Sequence, residues 1–151
     1  MNIGFTGTQQ GMTDSQKNTV KELIVKIQET TDKVTLHHGD CVGSDADAHA
    51  IASSLGCSII IHPPLNPVKR AFCIKESVVI DKRSSALREE NGEINIVLPP
   101  KDYLDRNHDI VDSTEAIIVC PFDSVEQLRS GTWATWRYAK KKGKPIFLVL
   151  P

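Results

Sequence analysis

Three short stretches of the chain gather glycine, hydroxyl and charged residues at spacings that suit an anion. The first is Gly4-Phe5-Thr6-Gly7-Thr8-Gln9-Gln10-Gly11-Met12-Thr13. Glycine lets backbone amides approach a phosphate closely, and a helix beginning just beyond would add roughly half a positive charge. The candidate contacts here are Gly7, Thr8, Gly11 and Met12. Their spacing is not the strict G-x-G-x-x-G of dinucleotide folds, and a tight strand-to-helix turn favours glycine in any case.

The second stretch is His38-Gly39-Asp40 with Gly43-Ser44-Asp45. Glycines interleaved with hydrogen-bonding side chains suit a loop around a ribose or base, which makes His38, Gly39, Asp40, Gly43 and Asp45 candidates. Asp45 and Asp47 would also favour a helix N-terminus without any ligand. The third stretch, Arg129-Ser130-Gly131-Thr132, combines free helix-start amides, two hydroxyls and a bidentate donor, although a plain Ser or Thr cap reads the same way. Arg106 and Asn107 add a phosphate partner and a reader of base edges or hydroxyls. Arg70, soon after His62-Pro63-Pro64, adds a third arginine near a strand end.

Nothing comparable marks a reaction centre. His37, His38, Asp40, Cys41 and His49 are metal-ligand types, but adjacent strand histidines point apart and no zinc-type spacing is present. No catalytic residue, metal ligand or cofactor is assigned. Lysine plus arginine is 18 against 19 acidic residues, a net charge of −1, so a broad positive field for polymeric nucleic acid is missing. No run approaches the ~18 apolar residues of a membrane span, and the chain starts directly in a strand-like segment. Four cysteines at wide spacings point to a reducing cytoplasm without disulfides.

The elements that would position these stretches follow from the apolar period. Residues 2–6, 33–36, 57–61, 115–120 and 145–150 read as strands. Thr13 with Gln16 forms a capping box before a helix whose Val20, Leu23, Ile24 and Ile27 make one stripe. Ala48, Ile51, Ala52 and Leu55 repeat that spacing in a second helix, and a third spans about 131–142. Apolar strands alternating with one-sided helices imply a Rossmann-like, doubly wound α/β domain over 1–151, with a mostly parallel sheet of about five strands and helices on both faces. Residues 74–100 break the rhythm. Asn91-Gly92 before alternating Ile94, Ile96 and Leu98 predicts an inserted hairpin or lid, with a surface loop as the alternative.

Taken in order, the Gly7–Thr13 loop, "LHHGDCVGSDADAHAIA", "IHPP", "YLDRNHDIV" and "RSGTWATWRYAKKKGKPI" resemble the SLOG superfamily, which includes DNA-processing protein A and the lonely-guy phosphoribohydrolases. The nearer likeness is to small bacterial and phage members related to YspA and YpsA. The resemblance implies binding of a small nucleotide-like ligand and self-association as a dimer or tetramer. Lonely-guy enzymes carry G-G-x-G-T-x-x-E. With Gly131-Thr132 on the G-T, Leu128 and Arg129 replace the glycines and Thr135 replaces the glutamate. Threonine cannot serve as a carboxylate base. The expectation is a sensor or sequestering protein without strong catalysis; an N-glycosidase or phosphoribohydrolase is the alternative.

Overall fold

Along the chain run β1 (Asn2–Gly7), α1 (Asp14–Gln28), β2 (Thr35–His38), α2 (Ser44–Ser54), β3 (Ser58–Ile61), a 3-10 turn (Pro67–Lys69), β4 (Ala86–Glu90), β5 (Glu93–Val97), α3 (Tyr103–Asp112), β6 (Ala116–Cys120), α4 (Gly131–Lys141) and β7 (Ile146–Leu148). The computed structural model describes residues 1–74, 86–90 and 93–151. One sheet takes the order β4-β5-β3-β2-β1-β6-β7. Every pairing is parallel except β4 with β5.

The centre of the sheet is buried on both faces: β6 is apolar at every position, and β1 and β2 bury most of theirs. Ile118 and Cys120 of β6 join Ile3 and Phe5 of β1 under α1 and α2, where Val20, Ile24, Ala48 and Ala52 complete one core. The alternate residues Ile117 and Val119 face α3 and α4, meeting Ile110, Val111 and Ala139. This is the doubly wound arrangement expected of such strands. The two strands beyond the expected five are the β4–β5 hairpin, which extends the sheet beside β3 instead of standing apart from it. Its Asn91-Gly92 turn, and the question of a lid in 75–85, lie outside the described residues.

Local caps hold the helices as their sequences require. Thr13 and Gln16 make the reciprocal capping box of α1. Gln16 is buried, and its Nε2 also donates to the carbonyls of Pro121 (3.0 Å) and Val149 (2.9 Å), tying α1 to the ends of β6 and β7. α3 is the helix that apolar periodicity does not reveal. Its inward face carries Arg106 with Ile110 and Val111, so a charged residue occupies a place in the stripe.

Gly43, the N-cap of α2, has φ of +87°, and an added Cβ would lie 2.2 Å from the Gln9 carbonyl oxygen. Both facts require glycine. Gly43→Ala is expected to lower unfolding free energy by about 2 kcal/mol or more, measured by urea denaturation. A variant as stable as the parent would contradict this contact.

Candidate functional site

Strand order reverses at β1: the chain proceeds to β2 and β3 on one side and returns to β6 on the other. The loops leaving β1 and β6 therefore diverge, and a crevice must open between them at the carboxyl ends. A cleft of about 760 Å³ lies there. Its walls come from the β1–α1 loop, the β2–α2 loop, the 3-10 turn, α3 and the β6–α4 segment. Ten of the residues singled out from the sequence line it: Gly7, Thr8, Gly39, Asp45, Arg106, Asn107, Arg129, Ser130, Gly131 and Thr132.

The start of α4 forms part of its wall. Ser130 caps the helix by accepting from Trp133 N at 3.3 Å. The amides of Gly131 and Thr132, at the first two helical positions, precede the reach of the internal ladder and make no other bond among the described residues. Trp133 is 3% exposed and also lines the cleft, and its indole Nε1–H is buried without a partner among the described residues. Its burial excludes an exposed interface patch, while Trp136 and Tyr138 are half-buried against the second core.

The first glycine loop differs from its expected role. Thr8 N donates to the Cys120 carbonyl, Gln10 N to Thr8 Oγ1, Gly11 N to the Thr8 carbonyl and Met12 N to Asp47. These amides are consumed inside the fold and do not form a phosphate nest. Gly7 is required by packing, since a Cβ there would lie 2.4 Å from Ser44 Cβ. Gly11, at φ +90°, makes a turn, and Met12 is a core residue.

Asp45 and Arg106 organise the second loop. Asp45 Oδ2 accepts from the amides of Gly39 and Cys41, both at 3.1 Å. Burial pushes its carboxyl up to about 6, against the opposing pull of the Arg106 charge and those two amides. Arg106, 5% exposed, donates through Nη1 to the Gly39 carbonyl at 2.6 Å and approaches Cys41 Sγ through Nη2 at 3.5 Å. Its Nε has no partner among the described residues. The sequence reading of Arg106 as a phosphate neutraliser missed this burial. The missing signal was its place in the inward stripe of α3.

Asp40, Arg70, His38 and Gly43 stand behind the cleft and do not line it. Asp40 is fully buried at φ +58° and pairs with Arg70 Nε at 2.7 Å, while its other oxygen accepts from Cys73 N. His38 accepts from Asp40 N at Nδ1 (3.0 Å) and meets His49 Nδ1 through Nε2 (2.9 Å). His38, His49 and Cys73 place ligand atoms within 4.8 Å of one another. Both ring nitrogens of neutral His38 are already engaged, one as acceptor and one as donor. No lone pair remains for an ion while those bonds stand. On the opposite face, His37 Nδ1 meets His62 Nε2 at 3.0 Å and His37 Nε2 meets Asn2 Oδ1 at 3.1 Å.

No family model and no curated protein matches the chain. Solved structures do. A molybdenum cofactor binding protein from the phototrophic bacterium Rippkaea orientalis is similar at TM-score 0.64 and 19% identity, over 99% of this chain and 76% of that one. DNA processing protein A from Helicobacter pylori is similar at TM-score 0.64 and 21% identity, over 98% of this chain and 64% of that one. The Moco carrier protein from Chlamydomonas reinhardtii gives TM-score 0.58 and 19% identity, over 99% and 76%. At such identities the likeness is one of architecture. The chain has a Rossmann-like α/β fold.

Proposed function

We propose that the chain binds a small phosphorylated, nucleotide-like ligand in the cleft, with the phosphate at the start of α4. One observation carries this: four residues that line the cleft hold donors without partners among the described residues, namely the amides of Gly131 and Thr132, Trp133 Nε1 and Arg106 Nε. A buried donor without an acceptor is costly, and a ligand rich in acceptors removes that cost. The neighbours named for binding or carrying the molybdenum cofactor support a small-ligand role for this architecture. Thr135, where lonely-guy enzymes have glutamate, is 1% exposed and donates to the Gly131 carbonyl, which supports binding without N-glycosidic cleavage. Dimers or tetramers belong to the same proposal, since Val125 and Leu128 stand 71% and 85% exposed beside the cleft; light scattering tests the mass.

Gly131→Glu provides the test. A Cβ at Gly131 meets nothing within 4 Å, so the fold has room for the new side chain. A carboxylate at the first helical position favours the helix dipole yet repels a phosphate. The variant is expected to match or exceed the parent in melting temperature while losing calorimetric binding of nucleoside monophosphates. Arg129→Ala, at an exposed site, is expected to weaken binding about tenfold through one lost charge-assisted contact. Unchanged affinity in both variants would remove the α4 site. Single-stranded DNA binding, the property named for the Helicobacter neighbour, is the rival reading. Salt-dependent retention of an oligonucleotide by this chain would favour it.

A further inference from the structure

Two opposite charges stand over Gly39 in the cleft wall without pairing. A methyl group built on that glycine would lie 1.4 Å from Arg106 Nη1 and 3.1 Å from Asp45 Oδ2. Even so, no ion pair joins the two side chains among the described residues. Arg106 uses Nη1 on the Gly39 carbonyl and Nη2 on a weak sulfur contact, while Nε and the remaining Nη protons find no acceptor. Asp45 commits Oδ2 to two backbone amides and leaves Oδ1 without a donor. Arg106 and Asp45 both line the cleft, so its wall holds guanidinium Nη protons without an acceptor near a carboxylate oxygen without a donor, the two side chains fixed by bonds to one loop.

We infer that Arg106 and Asp45 read the hydrogen-bonding edge of a nucleobase, the guanidinium donating to a ring acceptor and Asp45 Oδ1 accepting from the adjacent N–H. This rests on the phosphate reading of the α4 end. It narrows the ligand to a nucleoside monophosphate type with a neutral, unblocked base edge. A sugar phosphate leaves the pair unsatisfied, and a bisphosphate sets a second anion against Asp45. Tyr103 and Phe122, 38% and 59% exposed, also line the cleft and supply aromatic faces for a planar ring.

Calorimetry on the unmodified protein with AMP, GMP, purine riboside 5′-monophosphate and ribose 5-phosphate tests the inference. Purine riboside lacks the exocyclic donor, and ribose 5-phosphate lacks the ring. AMP or GMP is expected to bind at least about tenfold tighter than both controls, since sites built around a polar edge reject analogues lacking it. In Asp45→Asn an amide N–H replaces one acceptor oxygen, and the preferred nucleotide should fall to the level of ribose 5-phosphate. All four compounds binding alike would overturn the edge-reading inference while leaving the phosphate site standing. No binding by any of them would remove the phosphate reading, and this inference with it. The ligand series needs no variant, so it decides the matter even if Asp45→Asn fails to fold.

Discussion

Arg106→Met is expected to lower unfolding free energy by about 3 kcal/mol and to abolish ligand binding, although methionine fills much of the same volume. The guanidinium is buried, and its removal leaves the Gly39 carbonyl without its 2.6 Å donor. It also deprives the buried Asp45 carboxylate of the cation that favours its charged form, so that carboxyl moves still higher. Arg106→Lys keeps the charge but not the planar fork that meets Gly39 and Cys41 together, and it should recover only part of the loss. Urea unfolding reads the effect as a lower midpoint with unchanged slope. A variant within about 0.5 kcal/mol of the parent would mean that Arg106 behaves as a surface charge, and the account of the cleft wall would go with it.

The second large effect is on acid stability. Burial holds His37 down at about 4, and burial together with the His37 charge holds His62 at about 3, against an ordinary value of 6.5. Burial also lowers His38 and His49. Below pH 6.5 the unfolded chain takes up protons that the folded chain refuses. The stability these histidines contribute is complete above pH 6.5 and is lost as pH falls toward their folded values. Asp45 works in the opposite sense: raised to about 6, it penalises the fold above that pH and relieves it on acidification toward the ordinary 3.8. One carboxyl does not offset several histidines, so stability falls on net by about 1.4 kcal/mol per pH unit for each surplus proton. A loss of about 2–3 kcal/mol is expected between pH 6.5 and pH 5.

Bond roles allow the share of one pair to be tested. Asn2 Oδ1 can only accept, so His37 carries its proton on Nε2 and its Nδ1 accepts from His62 Nε2. In His62→Gln an amide N–H can make the same donation without titrating. That variant should keep most of its neutral-pH stability while its melting temperature varies less steeply with pH. An identical slope in parent and variant would rule out the His37–His62 pair as the source.

What the sequence disclosed and what it concealed divide along a physical line. Period and caps are local, so the strands, α1 with its Thr13–Gln16 box, α2 and α4 were legible. α3 was not, because Arg106 takes an inward place where an apolar residue would have marked the stripe. The hairpin was visible in its alternation, but its parallel pairing with β3 depends on contacts distant in sequence. Glycines were the least transparent. Gly7 answers to Ser44, Gly39 to Arg106 and Gly43 to Gln9, and a spacing rule cannot distinguish such neighbours from a phosphate. Trp133 shows the same limit: its type and place on α4 were plain, but not that its indole N–H would be left without a partner.

The cleft draws its walls from segments as far apart in the chain as Phe5 and Trp133. No excised fragment could therefore hold the pocket together. Occupancy must be linked to cooperative unfolding of the domain as a whole, and not to the ordering of one loop. A ligand present at about a hundred times its dissociation constant would then stabilise every element by about 2.7 kcal/mol. Hydrogen exchange would slow even at amides remote from the crevice, wherever exchange requires global opening.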